Sequence, residues 1–98
     1  MLLHTVSQSP DAGPALESCL RVLSPGSKIL LLADGVYAGR RLSDASTALT
    51  SSGCVVYALR IDVDARGLAG RMATGIQLVE YADFVRLATE CHAVQSWY

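Results

Sequence analysis

"KILLLADGVYAG", Lys28 to Gly39, is the stretch whose reading decides the fold. After its lysine the first half is continuously apolar, from Ile29 through Ala33. A strand with one wet face alternates apolar and polar side chains. A strand covered on both faces does not, and unbroken runs of this kind mark parallel sheets flanked by helices. The second half, "DGVYAG", then reads as a turn at the carboxyl end of that strand. Open α/β sheets place ligands and chemistry there. Asp34, Gly35 and Tyr37 are therefore candidates for two roles, a turn that packs at an interface or a small-ligand contact. The segment has neither the GxGxxG pattern nor a Walker lysine, so a nucleotide site is not indicated.

Working outward, the same pattern repeats. Upstream, "LLHTV" (Leu2 to Val6) reads as a first strand, and "SQSPDAGP" as a loop rich in turn formers. Pro14 suits the first turn of a helix, where its missing N–H costs nothing. Ala15 to Leu23 is the expected helix, with Leu16, Leu20 and Leu23 at the i, i+4, i+7 spacing of a buried face. "SPG" stops it, because Pro25 disfavours helix at Ser24. Downstream, Leu42 to Leu49 is a weaker helix, rich in serine and threonine, and "CVVYAL" (Cys54 to Leu59) is β-branched and strand-like. In "DVDARGLAG", Asp62 is a candidate cap, and Gly67 and Gly70 break any long helix. "IQLVEY" (Ile76 to Tyr81) reads as a fourth strand. Asp83 would cap a helix from Phe84 to Cys91, and "AVQSWY" would make a fifth strand. Alternating strands and helices predict an α/β fold: a small, open, three-layer domain with a mostly parallel sheet and right-handed crossovers, spanning residues 1–98 as one unit.

Composition narrows the function classes. The chain has 98 residues, of which 51% are apolar and only 17% charged, against a typical quarter. A surface so poor in charge points to coverage by partner subunits. Net charge is −1, which gives no basic field for nucleic acid, and the Arg40–Arg41 pair is too small to be a patch. No apolar run is long enough to span a bilayer. "MLLHTVSQS" lacks the basic and apolar regions of a secretion signal. Three cysteines without a CxxC pair argue against a disulfide framework and for free thiols in a reducing cytoplasm.

Of those cysteines, Cys19 carries the open question. It sits three residues after Leu16 and four before Leu23, on or beside the apolar face of its helix. It is either an apolar plug or a sulfur-handling group. A reactive thiol needs exposure and a cation or helix N-terminus to lower its pKa, and the second turn of a helix supplies little of that. Cys54, without a local charge partner, and Cys91, beside His92, read as structural. His4, on a strand, reads as a satisfied polar group, and two distant histidines give no metal spacing. Asp62, Asp64 and Arg66 read as caps and solvated charges. Trp97 and Tyr98 suit an interface or terminal core packing.

Taken together, "LHTVSQSP", "LESCL", "LLLADGVYA", "VYAL", "D…ARGL", "VEYADFVRL" and "TECHAVQSWY" cover nearly the whole chain in order. In these stretches the sequence resembles the DsrH/TusB family of small sulfur-relay subunits. The resemblance implies a DsrE/F/H-like fold and an accessory subunit rather than an autonomous enzyme. It also implies partners: DsrE/TusD-like and DsrF/TusC-like subunits in a heterohexamer, with a DsrC/TusE-like sulfur carrier reached through the complex. Such complexes serve either cytoplasmic sulfur oxidation or 2-thiolation of the tRNA wobble uridine. The principal persulfide cysteine resembles a feature of the DsrE/TusD-type partner, not of this chain. "LESCL", "TEC" and "VQSW" place the sequence nearer to DsrH than to typical TusB, and make Cys19 the candidate catalytic residue. Thiol–persulfide exchange requires no cofactor and no metal. Two rivals stay open: a scaffold with inert cysteines, and a small-ligand domain using "DGVYAG".

Overall fold

The computed structural model describes residues 1–98. Five strands form one sheet: β1 (Leu2–Val6), β2 (Lys28–Leu31), β3 (Val55–Leu59), β4 (Ile76–Val79) and β5 (Ala93–Trp97). Their spatial order is β4-β3-β2-β1-β5, and every neighbouring pair is parallel. The helices are α1 (Ala15–Arg21), α2 (Asp44–Thr50), α3 (Arg60–Ala65) and α4 (Tyr81–Glu90). This is the expected small α/β domain with a parallel sheet, and Ile29 to Leu31 lie in it fully buried.

The register explains the two apolar layers. Side chains alternate across a strand. Val6, Ile29, Leu31, Val56, Ala58 and Ile76 share one face with Leu16, Cys19, Leu49 and Val63 from α1, α2 and α3. Leu3, Leu30 and Leu59 share the other with Leu87 of α4 and Cys91 just beyond it.

Several local expectations are corrected. "DGVYAG" is not a simple turn: Ala33 to Gly39 winds into a 3₁₀ helix. It begins with Ala33 in the left-handed region (φ 48°), a cost offset where Asp62 Oδ2 accepts the Ala33 N–H at 2.8 Å. Asp62 is thus a clamp on a segment far from it in sequence, not a cap of its own helix. α3 starts at Arg60, three residues earlier than a cap at Asp62 would imply, directly from β3. The helix expected over Leu42 to Leu49 runs from Asp44 to Thr50. Ser43 caps it, accepting from Ser46 N at 3.2 Å, while Leu42 stays outside with φ 60°. Glu80, not Asp83, caps α4; Asp83 is the reciprocal member of that capping box, accepting the Glu80 N–H at 2.9 Å. The fourth strand therefore ends at Val79, and Tyr81 opens the helix. α1 stops at Arg21, and Leu16 and Cys19 carry its burial while Leu20 and Leu23 are only partly covered.

Candidate functional site

Cys19 lies on the inner face of α1, at 0% exposure, in the larger apolar cluster. Burial, with a smaller contribution from Cys54, pushes its thiol up to about 11. At pH 7 that leaves roughly one thiolate in ten thousand. The reason is local. α1 has only seven residues, no side-chain cap at Pro14 and an apolar stripe facing the sheet, so Cys19 gains no cation and no useful dipole. With α1 packed in place, Cys19 is a core side chain.

The other thiols occupy different surroundings. Cys54 is half-buried at the amino end of β3 and lines a cleft of about 350 Å³ with Leu23, Ser24, Pro25 and Ser52. Cys91 is buried against Leu3, Leu30 and Leu87 in the smaller cluster. A groove of about 450 Å³ opens at the carboxyl ends of β1 and β2, lined by Ser9, Asp11, Tyr37, Arg40, Ser43 and Asp44. No cysteine borders it, and Cys19 borders neither cavity. No three His, Cys, Asp or Glu side chains converge as a metal-ligand set.

The 3₁₀ segment is held rather than left open. Arg66 Nε donates to Asp34 Oδ1 at 2.9 Å, and Arg66 Nη1 donates to the Asp62 carbonyl at 3.2 Å. Asp34, Asp62 and Arg66 thus form one clasp, so Asp62 and Arg66 are not the cap and solvated charge expected of them, while Asp64 stays exposed beside Arg60. Gly35 presses on the end of β1, where a Cβ would stand 1.9 Å from the Val6 carbonyl oxygen. Of the three residues singled out in this segment, only Tyr37 reaches the groove.

At the far side of β1, Trp97 Nε1 donates to His4 Nδ1 at 3.1 Å, and the two rings stack 6.3 Å apart. Trp97 also packs against the larger cluster, while Tyr98 is exposed. His4 is only half satisfied, since its buried Nε2 has no partner. This pair joins residues 93 apart, and no local pattern in the sequence signals it.

The fold has close counterparts among solved structures. The YchN protein of E. coli superposes with a TM-score of 0.85 over 98% of this chain and 97% of that one, at 16% identity. A protein of unknown function, MTH1491 from Methanobacterium thermoautotrophicum, gives 0.72 over 97% and 96%, at 22% identity. These likenesses concern the fold. The family described as "DsrH like protein" matches residues 8–94. Protein TusB of Enterobacter sp. (strain 638) is 42% identical over 96 residues, covering 98% of this chain and 100% of that protein. TusB of Sodalis glossinidius and of Escherichia coli (strain SMS-3-5) are each 40% identical over the same spans. This corrects the expectation of a chain nearer to DsrH than to TusB. "LESCL" misled because a fully buried thiol answers to packing, and packing does not mark a pathway. Family model and full-length relatives cover nearly the same residues, and the chain belongs to the DsrH-like family, among relatives named TusB.

Proposed function

We propose that the chain is a non-principal subunit of a persulfide sulfur-transfer complex, serving 2-thiolation of the tRNA wobble uridine. It works as one relay domain over residues 1–98, in the cytoplasm, beside TusD-like and TusC-like subunits that pass sulfur to a TusE-like carrier. The observation that carries this reading is full-length similarity to TusB in a chain whose Cys19 is wholly packed away. A persulfide relay needs an accessible, partly ionised thiol at each stop. The chain therefore supplies walls and an interface, and the persulfide stands on the TusD-like partner. A carrier role for Cys19 requires α1 to swing off the sheet first. Among the helices of this chain none is long and apolar enough to cross a membrane.

The test is native mass spectrometry of the chain co-expressed with its two partners, before and after a persulfide donor, with Cys19→Ser alongside. The expected result is a three-component assembly that gains about 32 Da per loaded site, the mass of one sulfur. Peptide mapping should place that sulfur on the TusD-like subunit, in wild type and in Cys19→Ser alike. Sulfur mapped to Cys19 would assign it the carrier role. Absence of any assembly with folded partners would overturn the reading.

A further inference from the structure

We propose that His4 and Trp97 form an acid-released latch that holds β5 on the sheet. The chemistry of the two rings sets the logic. An indole N–H only donates, so His4 Nδ1 must accept, and the neutral imidazole must carry its proton on Nε2. A second proton has one place to go, Nδ1, where it would face the indole N–H 3.1 Å away. Two donors would then point at each other, and the charge would sit in a site 1% exposed. Nε2 offers no relief, because nothing there accepts its proton.

The surroundings supply no compensating anion. Along the sheet, His4 is flanked in register by Ile29 of β2 and Gln95 of β5. Above it, α1 contributes buried Cys19, held as a thiol, while Glu17 and Arg21 are exposed. Asp11 in the following loop is exposed. Asp34 and Asp62 belong to the Arg66 clasp. Lys28 lies beside Leu3, whose side chain faces the opposite layer. Burial pushes the imidazole below its ordinary range, and the facing indole N–H opposes the same protonation. The sign follows: the contact is intact above the free value of about 6.5 and is lost as pH falls through the depressed one.

β5 is the element able to yield. It is an edge strand, four of its five residues are exposed, and Trp97 is its one side chain packed into the core. Release would free Trp97 and bare the outer backbone edge of β1.

Trp97 is the only tryptophan, and His4 and His92 are the only histidines, so the full chain reports on itself. The experiment follows the tryptophan emission maximum, and the deuterium protection of Val94 to Trp97 corrected for intrinsic rate, from pH 7.5 to 5. In wild type the released population should rise up to about tenfold per pH unit below about 6.5. Protection of Ile29 to Leu31 should persist. His4→Gln keeps an acceptor for the indole and should flatten the profile; His92→Gln should leave it unchanged. If His4→Gln does not fold, Trp97→Phe serves instead: removing the donor should move the His4 midpoint, read by NMR, toward the ordinary value. A wild-type β5 that ignores pH would overturn the latch. So would an acid transition that survives His4→Gln, one abolished by His92→Gln, or a His4 midpoint unmoved in Trp97→Phe.

Discussion

The two faces of the sheet are covered unequally. One carries α1, the 3₁₀ segment, α2 and α3 over a cluster of 13 buried residues; the other carries α4 over a cluster of 5. Strand order accounts for this. From β1 to β4 the chain steps in one direction across the sheet, and right-handed crossovers in one direction stack every connection on one face. Only the return from β4 to β5, back past β1, reverses direction and lays its helix on the opposite face. Cys19 and Cys91, both buried, therefore lie in layers of different tolerance. One is pinned by several elements, the other by a single helix.

The largest effect should come from the crowded face. Gly35→Ala would force a Cβ into the Val6 carbonyl, and neither partner is a flexible side chain. A loss of about 3 kcal/mol or more is expected by urea unfolding, and a near-neutral result would break the claim that this face is rigidly packed. Next, Leu49→Ala under α2 should cost about 3 kcal/mol, and Leu87→Ala under α4 about 2. The thinner layer can settle into the vacated space. Equal costs would mean that the asymmetry has no energetic content. Asp62→Ala should cost about 1–2 kcal/mol, since it strips the acceptor from Ala33 N–H in its left-handed conformation. The smallest effect on stability but the sharpest on chemistry concerns the thiols. Iodoacetamide at pH 7.5 should label half-buried Cys54 well before Cys19, and labelling of Cys19 should accelerate as pH climbs toward about 11.

The strands were legible because residues covered on both faces write an unbroken apolar run, as Ile29 to Leu31 do. Helix starts were less so. Asp62 and Asp83 have the chemistry of caps, yet each spends its carboxylate elsewhere, one on Ala33 N–H and the other as the third residue of a capping box. Spacing alone cannot distinguish these uses, since all three employ the same acceptor. For Cys19, helical periodicity placed it on the inner face, and the structure adds that nothing there lowers its pKa. The branch is not legible in "LESCL" because a fully buried position asks for small apolar volume, which a cysteine supplies whatever the pathway. The His4–Trp97 contact and the Arg66 clasp escaped because their partners are distant in sequence and become neighbours only through the sheet order.

The parallel pairing of β1 with β5 also sets a schedule. Thr5 and Ser96 touch across 91 residues, so on the ribosome the β5 side of β1 stays unpaired while the intervening chain is made. At roughly 5–20 residues per second that interval lasts on the order of 5–20 s. During it, β1 to β4 can assemble the crowded face, but Leu3 and Leu30 wait for α4 to cover them. The exposed strand edge and the uncovered apolar layer thus coincide in time, which makes the nascent chain most adhesive just before its last strand arrives.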